Sequence, residues 1–314
     1  MEASPSSPEL SPSALERSPS STRPFGRVLT AMVTPFAADG TLDVAGAQRL
    51  AAHLVDEGGC DGLVLSGTTG ESPTTSDEEK RTLLGAVLEA VGDRATVLAG
   101  VGTNDTAHTV QLAQEAARAG ADGLLVVTPY YSRPPQAGLV RHFETVADAT
   151  DLPVMLYDIP VRTGVPLEVE TLVRLAEHPR IVAVKDAKGD LGAVSWTLAR
   201  TDLAYYCGDD MLNLPMISVG AVGVVSVVGH VVGTRLREML DAHEKGDTAH
   251  AATVHSALLP VYAGTFRTQG VILTKAALGL LGLPGGPVRA PLIDATDEQI
   301  ARLREDLRAG GVQV

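Results

Sequence analysis

From Val28 onward, short runs rich in Val, Leu and Ile recur along the chain, each closing on Gly, Thr, Pro or Asp. The runs are 28-VLTAMVTPF, 62-GLVLSGTTGE, 96-TVLAGVG, 123-GLLVVTPYY, 153-PVMLYDIP, 181-IVAVKDA, 203-LAYYCGDD and 223-GVVSVVG. Apolar runs without strict alternation read as strands buried on both faces, as a parallel sheet requires. Between them lie amphipathic segments such as 43-DVAGAQRLAAHLVDEG, 77-DEEKRTLLGAVLEAVG and 106-TAHTVQLAQEAARAG. These open near Asp, Ser or Thr and end at Gly, the start and stop signals of helices. Eight strand-like runs alternating with helices point to a closed (β/α)8 TIM barrel. A doubly wound open sheet is the runner-up, and the lack of a GxGxxG after the first run counts against it. The segments 234-TRLREMLDAHEKGD, 271-VILTKAALGLLG and 297-DEQIARLREDLRAG exceed what one barrel unit needs. We therefore expect the barrel over 27–233, and the last barrel helix plus a C-terminal helical extension over 234–314.

Residues 1–26 are dense in Ser and Pro and lack apolar periodicity, so a flexible tail is expected there, outside the fold. The tail has no apolar stretch of the secretory kind, and Glu2, Glu9 and Glu16 speak against an organellar transit peptide. A net charge of −13 gives no basic face for neutralising phosphates, which argues against nucleic acid as a partner. No membrane association is expected either. The two cysteines, Cys60 and Cys207, sit in apolar segments without metal-type spacing, which suits a reducing cytoplasm. The eight histidines form no HExxH and no pair flanked by carboxylates, so no metal is expected.

In such barrels the active site forms at the C-terminal ends of the strands. Lysine is scarce: Lys80, Lys185, Lys188, Lys245 and Lys275. Lys80, Lys188 and Lys245 read as solvent-facing, and Lys275 lies on a C-terminal helix. Lys185 alone interrupts an apolar strand. A low-dielectric site favours the neutral amine, which attacks a carbonyl to form an imine. The alternative is a lysine at a strand end that pairs with Asp186 or another carboxylate. Tyr157, on the adjacent strand, could pass protons to and from a carbinolamine, or could be a core aromatic. The turn 67-GTTGE suits a carboxylate, through backbone N–H groups and hydroxyls, or is a plain strand-to-helix turn. Arg162 could grip a substrate carboxylate bidentately or form an ordinary surface ion pair. Gly208-Asp209-Asp210 reads best as a cap on the helix after strand 7.

Together these residues resemble the dihydrodipicolinate synthase / N-acetylneuraminate lyase family, from about Val28 to the C-terminus. The signals are GTTGE at 67–71, VTPYY at 127–131, YDIPVRTG at 157–164, VAVKDA at 182–187, GDD at 208–210 and GVVSV at 223–227. The resemblance implies that Lys185 is a Schiff-base lysine condensing with pyruvate, and that Tyr157 is its proton donor and acceptor. It further implies that Thr68 links Tyr157 to Tyr131, and that Tyr131 crosses a dimer interface within a homotetramer. Thr69 and the backbone around Thr68 would hold the pyruvate carboxylate; Gly208 and Val225 would also face substrate. GTTGE with YYxRPxQ, and an arginine two residues after Pro160, resemble the dihydrodipicolinate synthase branch, where Arg162 would bind L-aspartate-4-semialdehyde. The match is nearest to actinobacterial members, including Asp158 where many relatives have Asn. The implied reaction makes 4-hydroxy-tetrahydrodipicolinate, committing flux to diaminopimelate and lysine, with no cofactor because the lysine supplies the electron sink. One departure concerns regulation. Lysine-inhibited members carry a histidine and a glutamate where this chain has Lys80 and His108, although Ser72, Asn104 and Tyr130 agree. A cation there should repel an ammonium, so weak or absent inhibition by lysine is expected. The rivals are another pyruvate aldolase of the family, acting on a 2-keto-3-deoxy sugar acid or hydroxy-oxoglutarate, and a non-catalytic barrel that binds a keto acid.

Overall fold

The computed structural model describes residues 22–314. Each apolar run forms a strand: β1 (Val28–Ala31), β2 (Gly62–Leu65), β3 (Thr96–Gly100), β4 (Gly123–Val127), β5 (Val154–Asp158), β6 (Ile181–Asp186), β7 (Ala204–Cys207) and β8 (Gly223–Ser226). All neighbours pair in parallel, and β8 returns to β1 to close the barrel. Helices follow the strands in order: α1 (Val44–Asp56), α2 (Asp77–Val91), α3 (Thr106–Ala119), α4 (Gln136–Asp148), α5 (Val169–Leu175), α6 (Leu191–Leu198), α7 (Asn213–Ser218) and α8 (Gly229–Glu244). The expected start signals do their work. Asp43 accepts from the Gly46 N–H at the head of α1, and Ser76 and Glu79 form a reciprocal capping box on α2.

Alternate residues of each strand serve two cores. Leu29, Val64, Leu98, Met155, Ala183 and Val225 fill the barrel interior. Val28, Leu63, Val97, Leu156, Val184 and Val224 pack outward against the helices. This two-sided burial is why the runs are apolar throughout rather than alternating.

Two boundaries differ from expectation. The chain joins the fold before residue 27: Phe25 is buried in the interior core, its N–H donates to the Tyr206 hydroxyl at 3.3 Å, and that hydroxyl donates to Gly26 O at 3.0 Å. Of the tail expected over 1–26, residues 1–21 lie outside the described residues. At the other end α8 begins at Gly229, so a division at 233/234 would cut through it. The extension contains α9 (Thr248–Thr265), α10 (Gly270–Leu280) and α11 (Asp297–Ala309). The sequence pattern did not single out α9, because Pro260 lies inside it and its apolar residues surround the axis rather than forming a stripe.

Candidate active site

Strand parity decides where Lys185 points. It shares a face with Ala183, in the barrel interior, while Asp186 points outward and accepts the N–H groups of Lys188 (3.0 Å) and Gly189 (2.9 Å). A Lys185–Asp186 ion pair is therefore not what the fold builds. Lys185 is 4% exposed, and no described residue forms an ion pair with it. Its register partners are Tyr157 on β5 and Tyr206 on β7. The Lys185 Nζ lies 4.2 Å from the centroid of the Tyr157 ring. Gly208 makes room for this side chain: a Cβ at 208 would fall 3.0 Å from Lys185 Cγ and 3.1 Å from Cε.

A cavity of about 360 Å³ opens at the C-terminal end of the strands, lined by Thr68, Tyr131, Tyr157 and Arg162 together with Leu125 and Tyr130, among others. Four of the expected site residues thus share one wall. Lys185, Thr69, Gly208 and Val225 are not on that wall. Lys185 and Gly208 lie against each other beside Tyr157, Val225 is buried in the interior, and Thr69 is buried in its turn. No described residue hydrogen-bonds to the hydroxyls of Thr68, Tyr157 or Tyr131, so the implied relay is not closed within one chain. Tyr131 is 89% exposed.

Among the described residues four non-glycine residues have left-handed backbone: Ser66 (φ 53°), Glu71 (φ 54°), Tyr131 (φ 74°) and Arg133 (φ 48°). All four lie in the loops after β2 and β4, on either side of the cavity. Such conformations persist only where surrounding contacts hold them. The turn after β2 is held by Glu71 N–H to Thr68 O (3.2 Å), Ser72 N–H to Gly67 O (3.3 Å) and the Thr34 hydroxyl to Gly70 O (2.7 Å). Arg133 Nε donates to Gly164 O at 2.9 Å, which ties the Tyr131 loop to the Arg162 loop.

The charged surroundings hold what the local pattern did not reveal. Lys275 is buried, with Nζ 2.6 Å from Glu71 Oε1, and it donates to Pro287 O at 2.7 Å. Burial pulls its pKa below the ordinary lysine value, and the hydrogen bond and charge of Glu71 oppose that. Arg289 N–H donates to Glu71 Oε2 at 2.8 Å, and the Arg289 guanidinium reaches Glu79, Thr74 O and Gly40 O. The only sequence signal for Lys275 was its place in the apolar run VILTKAALGLL. Lys80 and Lys188 are not solvent-facing, as their side chains are each 14% exposed. Lys188 Nζ lies 3.2 Å from Asp158 Oδ2 and donates to Leu167 O at 3.0 Å, while the Leu167 N–H donates to Asp158 Oδ1 at 3.2 Å. Together they close the base of the loop that carries Arg162. Burial raises Asp158 to about 6, against the pull of Lys188. Of the 208–210 motif, Asp209 caps the following helical turn as expected, through Met211 N–H. Asp210 instead reaches β8, accepting from the Ser226 hydroxyl and from the N–H groups of Val227 and Val228.

A family model, the dihydrodipicolinate synthetase family, matches residues 24–310. The chain belongs to that family. The 4-hydroxy-tetrahydrodipicolinate synthase of Acidothermus cellulolyticus is 71% identical over 288 residues, covering 92% of this chain and 93% of that protein. 4-Hydroxy-tetrahydrodipicolinate synthase 2 of Streptomyces coelicolor is 67% identical over 291 residues, covering 93% of this chain and 97% of that one. Among solved structures, DHDPS from Cyanidioschyzon merolae with lysine bound superposes with a TM-score of 0.91 at 41% identity, over 93% of this chain and 100% of that chain.

Proposed function

We propose that this chain is a lyase that condenses pyruvate with L-aspartate-4-semialdehyde to 4-hydroxy-tetrahydrodipicolinate, on the route to diaminopimelate and lysine. High identity to proteins of that name supports the reaction. The observation that carries the chemistry is Lys185, buried inside the barrel beside Tyr157 with no ion pair to a described residue. An amine that no carboxylate holds as its cation can attack the pyruvate C2 carbonyl. The carbinolamine loses water to give an imine, which draws electrons from C3. Loss of a C3 proton yields an enamine, and its C3 attacks the semialdehyde carbonyl carbon. The amino group of the second substrate then displaces Lys185 from the imine carbon as the ring closes. The imine is the electron sink, so these steps use no metal or organic cofactor.

Tyr157, which lines the cavity, is the proton carrier in this scheme through its hydroxyl. Thr68, Thr69 and the adjoining backbone hold the pyruvate carboxylate, with Gly208 and Val225 shaping the floor. Arg162 is exposed at the rim and takes the carboxylate of the semialdehyde. A strained tyrosine standing 89% exposed supports a role for Tyr131 across a subunit contact, joining Thr68 and Tyr157 of the partner in a dimer of dimers. Free thiols at Cys60 and Cys207 support a cytoplasmic location. The test is product formation, followed by NMR with both substrates and with 2-keto-3-deoxy sugar acids in parallel. Condensation with the semialdehyde is expected. Turnover of the sugar acids alone would replace this reading with another aldolase of the family.

A further inference from the structure

We infer that Lys275, from the C-terminal extension, is a positioning residue for the turn that receives the pyruvate carboxylate, acting through Glu71. The inference rests on the proposed reaction and adds a role for a segment outside the barrel. The turn 66–71 begins and ends on residues with left-handed backbone, Ser66 and Glu71, neither of them glycine. A side chain in that conformation relaxes toward negative φ unless its surroundings prevent it. At Glu71 the surroundings come from far along the chain. Both carboxylate oxygens are taken by the extension: Oε1 by Lys275 Nζ at 2.6 Å and Oε2 by the Arg289 N–H at 2.8 Å. The side chains of the ion pair are 3% and 2% exposed, so water does not screen it. Phe36, in the loop after β1, stacks against both cations, with its ring centroid 4.3 Å from Lys275 Nζ and 4.0 Å from Arg289 Cζ. The extension therefore grips the end of the turn, and Thr68 and Thr69 lie three and two residues before Glu71.

Release of Glu71 would let the hydroxyls and N–H groups of 68–69 drift while leaving Lys185, Tyr157 and Arg162 where they are. Pyruvate binding should suffer and semialdehyde binding should not. Lys275→Met alone strands a buried carboxylate and risks unfolding, so the deciding protein is the full-length double variant Glu71→Gln/Lys275→Met, which buries no unmatched charge. Steady-state kinetics on both substrates, with thermal melts, give the readout. The expected result is a folded double variant whose KM for pyruvate rises about tenfold, on the scale that small misplacement of a binding group produces. Its KM for the semialdehyde should stay within about twofold, with kcat at saturating pyruvate largely kept, because loss of binding made equally in the ground and transition states raises KM without lowering kcat. A folded double variant with the parent KM for pyruvate would overturn the inference. So would equal deterioration for both substrates, or failure of the double variant to fold, since either makes the pair mere scaffold. Borohydride trapping of the parent protein with pyruvate separates the two levels: a parent that forms no adduct sinks the proposed reaction itself, whatever the variants do.

Discussion

Two lysines are buried in this molecule in outwardly similar settings, one inside the barrel and one under the C-terminal extension. Lys185 and Lys275 are 4% and 5% exposed, and each holds its Nζ a little over 4 Å from the centroid of an aromatic ring. They differ in their partners. Lys275 meets Glu71 at 2.6 Å and donates to Pro287 O, whereas Lys185 has no ion pair with any described residue. A buried ammonium with a carboxylate against it is held as a cation and ties chain segments together. One without such a partner can act as an amine and lend its electron pair to a carbonyl. Burial is common to both, and the partner separates the proposed nucleophile from the tie.

That contrast can be broken in several ways, and the largest effect belongs to Lys185. Lys185→Ala should lower kcat by about 10⁴-fold or more, the scale on which a covalent nucleophile counts. Tyr157→Phe should cost about 10²-fold to 10⁴-fold if its hydroxyl carries protons, with KM for pyruvate moving much less. Stability should reverse the ranking. Lys275→Met leaves Glu71 buried without its cation and should cost about 3–5 kcal/mol in denaturant unfolding, whereas Lys185→Met strands no partner and should stay within about 1 kcal/mol of the parent. Similar losses at the two sites would erase the distinction.

Lys188 offers an intermediate case, since burial pushes its partner Asp158 up to about 6. The Asp158 pKa is raised in the folded chain from 3.8 to about 6 by burial. The folded chain thus holds that proton more tightly than the unfolded chain. Its contribution to stability is fully present below about pH 4 and is lost as pH rises through about 6. Asp158→Asn carries no such proton. Measured against it, the parent should gain stability as pH falls from about 7 to about 4, by at most ~3 kcal/mol for a shift of about two pH units. A parallel pH dependence in both proteins would show that Asp158 is not raised. The smallest effect concerns Lys80, half-buried with its Nζ 3.8 Å from Asp77, beside His108 whose Nε2 is 2.8 Å from the same carboxylate. Millimolar L-lysine should change the rate by less than about twofold, because a resident cation repels the incoming ammonium. Submillimolar inhibition would contradict that.

The barrel was legible because its signal is local and repeated. Parallel strands buried on both faces leave apolar runs that no exposed element imitates, and the capping residues at Asp43 and Ser76 mark where helices begin. Lys185 was legible for a related reason, as a charge that interrupts such a run. Lys275 interrupts an apolar run in the same manner, but on a helix, where periodicity alone leaves open which face is buried. Its partner lies in a loop more than half the chain away, as does the Arg289 contact to Glu71 across 218 residues. Ties of that length have no local trace. Phe25 was hidden by its Ser/Pro-rich surroundings, and α9 by Pro260. The implied relay from Tyr157 through Thr68 to Tyr131 stands open in the single chain, with Tyr131 turned out to solvent.

The most direct test of the contrast between the two lysines is chemical. The protein is incubated with pyruvate, reduced with borohydride and digested, and the peptides are read by mass spectrometry. A single reduced pyruvate adduct on Lys185, with Lys275 unmodified, is the predicted result. An adduct on Lys275 or another lysine, or no adduct at all, would contradict it.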